Sequence, residues 1–407
     1  MSFSLRYAHA NVLVGPGDQS AGLFRLGMTS YPYLPNGEKW ALQRRLQRLA
    51  STVATDFSLW RVNRAYPAER YVQHTAGLLD VRHQDPAVWS AFLEGHRERL
   101  ARLGAHIPEC YMAVSLASGQ TTGMGGSLVR GVDRARRRVE DLAGVGAVAP
   151  ISARDLEDLC SRELRLLERI RGVIPARPAR TMELQWLLRR AACRGLGEPE
   201  LDRHWQPDAL VVEGSDGAGF EPLRHDLARC ANAAITERHQ TLIVEGEEGR
   251  SFQAMLAVGA LADCPEFPGS GAEVLFAPLE AVGFPVDAVL HARWVGNRQA
   301  LAAVRKRISD VEHAYREQIE GAAHGPSLLA GEDRVLAREY EALLASGGHP
   351  PMLYAYIGLA VGATDEEELE RRVATLKERY GDIALHRPVG LQRELFFGHL
   401  PGTDGWA

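Results

Sequence analysis

Lysine is nearly absent from this chain. Its 407 residues include three lysines, Lys39, Lys306 and Lys377, and none of them follows a glycine. A phosphate-binding loop needs a Gly-Lys-Ser/Thr step, because the lysine carries the charge that meets the β- and γ-phosphates. The sequence therefore contains no Walker A motif, and we expect this chain neither to hydrolyse ATP nor to bind it tightly.

Cysteine is also scarce. The chain has five cysteines, and they form no Cys-x-x-Cys pair and no Cys/His spacing of the kind that binds a metal ion. They are Cys110, Cys160, Cys193, Cys230 and Cys264. An odd number of widely separated cysteines indicates reduced thiols in the cytosol rather than a disulfide framework.

Long apolar runs are missing as well. The longest run, Met352–Ala363, has about half of the ~20 residues that a transmembrane helix needs. The chain also begins without a charged and then apolar leader. The sequence therefore predicts a soluble, cytoplasmic protein that reaches the inner face of the cell membrane only through its partners.

Neither sign of charge dominates. The composition, with 45% hydrophobic and 24% charged residues and a net charge of -5, is ordinary for a globular protein and argues against attraction of the whole surface to nucleic acid. Two local basic clusters, Arg134–Arg138 and Arg305–Arg307, lack interleaved aromatics, so we interpret them as solvated helix faces. A nucleic-acid-binding module is nevertheless one hypothesis, and it predicts that both clusters converge on one surface.

The order of the predicted elements indicates an α+β protein with two ferredoxin-like or mixed-sheet modules around a helical middle. Residues 1–143 form the predicted N-terminal α+β module, and residues 144–208 form the helical middle. Residues 209–402 form the central α+β module, in which strands and helices alternate over the last third of the chain.

Several individual elements are predicted by local signals. Asn36 is placed to cap a helix, and Asp85, which precedes a proline, is placed to cap another. Residues 225–237 have a strand pattern, and Met352–Val361 is apolar on both faces, which is typical of an interior strand. The acidic run that begins at Thr364 is a capping box for the helix that follows.

Candidate catalytic motifs have simpler interpretations. The glycine-rich segment Gly119–Ser127 lacks a lysine and predicts a flexible connecting loop rather than a phosphate cradle. Thr241–Glu245 predicts a hairpin strand, and the chain has no Gly-x-Ser-x-Gly elbow and no His-Glu-x-x-His pair. The sequence therefore predicts no catalytic, cofactor-binding or metal-binding residue in this chain.

Three stretches carry a resemblance to a known family. They are the helical stretch Glu163–Ile170 with Thr181–Gly195, the strand, capped helix and strand over Leu353–His386, and the closing segment Glu394–Gly402, which ends in Leu-Pro-Gly. In this order, from about residue 160 to the end, they resemble the region ahead of the motor in the large ATPases of conjugative type IV secretion. These are the CagE/TrbE/VirB-type transport ATPases, which serve DNA transfer.

The resemblance implies an accessory region that docks the ATPase onto a small inner-membrane secretion subunit and onto neighbouring secretion ATPases, with homo-oligomers as a further possibility. ATP and Mg would bind only in a carboxy-terminal RecA-like domain, whose P-loop, Walker B carboxylate and arginine finger have no counterpart here. Residues 403–407 would then be a truncated linker to that missing domain. Either the chain was cut before it, or it is a natural protein that lost it.

The leading alternative is a self-contained enzyme with its site in a cleft between the two modules. A deep pocket with buried polar groups and displaced pKa values would favour the enzyme. A broad exposed apolar patch would favour docking and assembly.

Overall fold

The computed structural model describes residues 5, 7–15, 19–27, 31–80, 85–102, 106–116, 151–205, 207, 209–214, 217–222, 227, 230, 232–261, 267–269, 272–321 and 328–402. The chain is 45% helical and 28% strand. This mixture, with one large antiparallel sheet, confirms the predicted α+β class. Below, "front part" means the described residues up to 116, "middle part" residues 151–222, and "rear part" residues 227–402.

The front part consists of five strands and three helices along the described residues. The strands are β1 (Tyr7–His9), β2 (Val12–Val14), β3 (Ser20–Leu26), β4 (Phe57–Ala65) and β5 (His106–Ser115). The helices are α1 (Asn36–Val53), α2 (Ala68–Ala76) and α3 (Pro86–Arg102). A short 3-10 segment, Tyr31–Tyr33, precedes α1.

The middle part contains two helices with a large share of buried residues. Its described elements are β6 (Ile151–Ser152), α4 (Ala153–Arg171), β7 (Ala176–Pro178), α5 (Thr181–Ala192), β8 (Ala209–Gly214) and β9 (Gly217–Pro222). Strands β6, β9 and β8 form a small sheet of their own.

The rear part alternates strands and helices. Its first described elements are β10 (Ala234–Arg238), β11 (Thr241–Gly246), β12 (Gly249–Ala260), α6 (Ala277–Glu280) and β13 (Val286–Val295). These are followed by α7 (Asn297–Gly321), α8 (Leu328–Leu344), β14 (Met352–Ala363), α9 (Glu366–Tyr380), β15 (Ala384–His386) and α10 (Gln392–Gly398).

The front and rear parts share one sheet. Its strand order is β1-β2-β3-β5-β4-β13-β14-β12-β11-β10, with β7 beside β3 and β15 beside β12. The junction is the antiparallel pair β4–β13, in which Phe57–Arg61 lies opposite Ala288–Ala292. The two predicted modules are therefore joined through backbone hydrogen bonds.

The hydrophobic core also crosses this junction. One buried cluster draws side chains from the front, middle and rear parts, among them Trp60, Tyr111, Trp186, Val289 and Phe396. A second cluster lies in the front part under α4, and a third packs α9 against the rear strands. The helical middle thus covers the sheet at the place where the two parts meet.

Some of the predicted local signals are confirmed. Asp85 Oδ1 accepts a hydrogen bond from the Ala87 N–H at 2.8 Å. The helix predicted after Thr364 is also present, but its cap is Asp365, which accepts from the Glu368 N–H at 2.8 Å. The closing segment is helical as α10, with Phe396 and Leu400 buried in the shared core.

Three local predictions differ from the structure. Asn36 lies inside α1, and Pro35 occupies the cap position. The strand predicted for residues 225–237 begins only at Ala234, because Leu227 and Cys230 are helical and buried, three residues apart as on one face of a helical turn. Strand β14 is interior, between β13 and β12, but its first half is open to solvent near Leu353.

Candidate docking surface

Helices α7 and α8 form an antiparallel hairpin inserted between β13 and β14. The two helices contact each other, and Ala300 and Val311 of α7 and Ala337 and Leu344 of α8 are buried. The amide of Asn297, at the start of α7, donates to the carbonyls of Leu344 and Pro350 at 2.7 and 2.9 Å. The base of the hairpin is therefore tied together at the point where it leaves the sheet.

Ion pairs hold the two helices side by side. Arg305 of α7 contacts Glu341 of α8 at 2.8 Å, and Arg338 of α8 contacts Glu312 of α7 at 2.6 Å. Both pairs are largely exposed, so each contributes little to stability. They do define which flank of α8 faces α7.

A different flank of α8 carries large apolar side chains that no described residue covers. Leu336, Tyr340 and Leu343 are 51%, 48% and 59% exposed, and the neighbouring Val335 is 58% exposed. The first three follow the 4-3 spacing with which one helix packs along another. We call these three residues the α8 seam.

Acidic residues border the α8 seam. Glu332 and Glu339 are both exposed. Glu332 lies four residues before Leu336, and Glu339 lies one residue before Tyr340. An apolar strip with a charged border is the usual form of a helix-binding surface.

Strand β14 adds an open sheet edge at the same end of the molecule. Its residues Met352–Ile357 pair with β13, while the pairing with β12 begins only at Gly358 among the described strands. Leu353 and Tyr354 are exposed on this half of the strand. The base of the hairpin and the open half of β14 therefore expose apolar residues close together along the chain.

The enzyme alternative finds its best candidate at the β4–β13 junction. Ser58 lies directly opposite His291, with 2.7 Å between Ser58 Oγ and His291 Nδ1. His291 Nε2 lies 2.8 Å from the carbonyl oxygen of Gly398, which can only accept, so Nε2 carries the proton. Nδ1 is then an acceptor, and the Ser58 hydroxyl donates to it.

This serine–histidine pair is poorly suited to catalysis. Burial lowers the pKa of His291 to about 4, outweighing the opposing effect of the hydrogen bond to Gly398, and a general base works best with a pKa near the working pH. The cavity beside Ser58 has a volume of about 130 Å³, below the roughly 300–1,000 Å³ of ordinary ligand sites. The pair is better explained as a link between β4, β13 and α10.

The C-terminal end of α10 is capped from the junction strands. His291 donates to the carbonyl of Gly398, and Trp60 Nε1 donates to the carbonyl of His399 at 3.1 Å. Since Trp60 lies on β4 and His291 on β13, one donor comes from each side of the junction. This arrangement fixes α10 to both parts of the molecule.

Buried charges in the middle part are paired. Arg194 contacts Asp287 at 2.8 Å, and Glu183 accepts from Arg25 and Arg177. Burial opposes ionisation of Glu183, but hydrogen bonds from Arg177, the Arg180 N–H and Arg25 lower its pKa to about 2. These groups bind the middle part to the sheet rather than converge on a cavity.

The candidate positions from the sequence fall in several places. Thr241–Glu245 lies in β11, a hairpin strand as predicted. Arg305–Arg307 lies exposed on α7. Gly119–Ser127 and Arg134–Arg138 lie outside the described residues. The α8 seam was not singled out from the sequence, although its 4-3 spacing is visible there.

Comparisons with known proteins do not extend this description. No protein-family model matches the chain, and no curated protein matches it. Within the ranges given above, no helix is both long enough and apolar enough to cross a membrane. In those same ranges, no three His, Cys, Asp or Glu side chains are grouped as a metal site would require.

Proposed function

We propose that this chain is a docking and assembly region of a conjugative type IV secretion ATPase, and that the α8 seam is its contact with another subunit of the secretion channel. The observation that carries the proposal is the exposure of four large apolar side chains on one described helix. The resemblance of Thr181–Gly195 and Glu394–Gly402 to that family supports a secretion channel as the assembly in which the chain docks.

The partner that fits the seam is an amphipathic helix with basic flanks. A 4-3 apolar strip packs against a similar strip, and the acidic border formed by Glu332 and Glu339 would attract Lys or Arg on the partner. Completing the burial of the three half-exposed side chains of the seam would contribute roughly 2–4 kcal/mol before the entropy of association is subtracted. That magnitude suits a subunit contact that can be exchanged.

A second copy of α8 fits less well. Two antiparallel copies would bring Glu332 and Glu339 of one helix beside the same residues of the other, and like charges oppose each other. We therefore propose a small inner-membrane secretion subunit as the first partner and a neighbouring secretion ATPase as the second. Through the first partner the chain would lie at the inner face of the cell membrane.

We add a more detailed proposal about the fold of the two parts. We propose that the front and rear parts are two ferredoxin-like modules whose sheets have merged at the β4–β13 pair. The rear part supports this proposal with its β13-α7-α8-β14-α9-β15 order, in which α9 packs on the sheet between two strands. The α7–α8 hairpin would be an insertion into the rear module.

Affinity measurements test the docking proposal. The chain is titrated against the small inner-membrane subunit in detergent, as wild type and as the double variant Leu336→Glu/Leu343→Glu. We expect the double variant to bind at least tenfold more weakly while its circular dichroism spectrum stays unchanged.

The matched control is Val88→Glu on α3, since Val88 is also an exposed apolar residue, at 67%. It should leave the affinity unchanged. Equal affinities for the seam variant and wild type would rule out the α8 seam as the contact.

A further inference from the structure

The exposed face of α1 carries a row of one aromatic and two basic side chains. Trp40, Arg44 and Arg48 are each four residues apart, so they lie along one line on the helix with a rise of about 6 Å per step. All three are exposed, and the apolar face of α1 that contains Leu49 and Val53 packs into the core. We call these three residues the α1 row.

No described residue neutralises the charge of the α1 row. Among the described residues, no carboxylate pairs with Arg44 or Arg48, and Arg45 beside them contacts only the Ala41 carbonyl. This contrasts with the arginines of α9, where Glu368 pairs with Arg371 and Arg372. An unpaired cationic face in a chain of net charge -5 is suited to an anionic ligand.

The first residue of the α1 row, Trp40, presents an exposed aromatic ring. The Trp40 ring meets the Phe267 ring edge to face at 4.9 Å, which fixes its orientation while leaving it 41% exposed. Tyr33, seven residues earlier, is 85% exposed. A fixed, exposed aromatic ring beside arginines is the arrangement on which unpaired bases stack while their phosphates meet the cations.

We infer that the α1 row binds single-stranded nucleic acid. Single strands are favoured over a duplex because only unpaired bases expose a face to Trp40. A membrane surface fits less well, because that face of α1 offers the polar Gln47 and Ser51 on either side of Arg48 and no aliphatic side chain to insert into lipid. This inference is independent of the α8 seam and of the proposed docking function.

Fluorescence anisotropy with a labelled 20-nucleotide thymidine strand tests the inference at 50 and 200 mM NaCl. We expect micromolar binding by the whole chain at the lower salt concentration. Trp40→Ala should weaken binding about tenfold with little change in salt dependence, because it removes a stacking platform but no charge. Arg44→Gln/Arg48→Gln should flatten the slope of log affinity against log salt by about 1.4, at roughly 0.7 per lost phosphate contact.

The matched control is Lys377→Gln/Arg379→Gln, which removes two exposed positive charges from α9. It should leave binding and slope unchanged, and an equal loss in this control would contradict a site on α1. Absence of binding at 50 mM NaCl would also overturn the inference. Binding to phosphatidylglycerol vesicles but not to the strand would assign the row to a membrane surface and contradict the inference too.

Discussion

Helices α8 and α9 carry the same apolar spacing and have opposite surroundings. In α9 the residues Leu369, Val373 and Leu376 follow a 4-3 spacing and are buried against the sheet. In α8 the seam follows the same spacing and is about half exposed. The periodicity of a helix therefore shows that it has an apolar face, while the rest of the fold decides whether that face is covered within the chain.

The apolar side of α9 therefore serves folding, and the α8 seam serves association with a partner. The covered stripe of α9 contributes to the stability of the folded chain, since its burial is complete before any partner binds. The α8 seam contributes little to folding, and its exposed apolar surface can still be buried when a partner binds. Variants that separate folding from binding can therefore test whether the two helices differ in this way.

The largest effect should come from truncating the covered stripe. Leu376→Ala should lower the free energy of unfolding by about 2–5 kcal/mol, because it removes a fully buried side chain and leaves a cavity. The matched truncation on the α8 seam, Leu343→Ala, should change it by about 0.5 kcal/mol or less. Urea denaturation measures both, and equal losses would show that the seam is covered in the free protein.

A second effect concerns α10, which is covered like α9. Gln392 is fully buried, and its amide group accepts from the Met255 N–H and donates to the carbonyls of Met255 and Pro388. Gln392→Ala should cost about 1–3 kcal/mol, because buried backbone groups of β12 lose their partner. The exposed neighbour Arg393→Ala should have almost no effect in the same urea experiment, and similar losses for the two would mean that α10 is not held by this contact.

A third effect is a pH dependence of stability, which comes from the buried Glu183. Burial opposes ionisation of Glu183, but hydrogen bonds from Arg177, the Arg180 N–H and Arg25 outweigh it and lower the pKa of this carboxyl from its ordinary value of 4.5 to about 2. Its contribution to stability is therefore present above about pH 4.5 and is lost as the pH falls towards 2. Glu183→Gln should destabilise the protein at pH 7 and progressively less towards pH 3, as measured by urea midpoints. A constant difference from wild type across this range would contradict the assignment.

Local features of the fold were predictable from the sequence. The caps at Asp85 and Asp365 depend on a side chain and a backbone N–H two or three residues away, so the chemistry is visible in a short window. Even here, the short helical turn at Leu227 and Cys230 was hidden in a segment that also fits a strand.

Long-range features were not predictable in this way. The β4–β13 junction pairs Ser58 with His291 across more than 200 intervening residues, and neither strand shows which neighbour it will take. The exposure of the α8 seam depends on the absence of a covering element among the described residues, which no local pattern encodes. The candidate site was therefore found from burial, although its spacing was already present in the sequence.

Site-specific photocrosslinking in the secreting cell shows whether the α8 seam contacts another subunit of the secretion channel. A photoreactive phenylalanine replaces Tyr340 in the α8 seam, and a control chain carries it at Arg371, an exposed position on α9. We predict that Tyr340 crosslinks to another subunit of the secretion channel and that Arg371 does not. No crosslink at Tyr340, or equal crosslinking at both positions, would contradict the claim that the α8 seam is a docking surface.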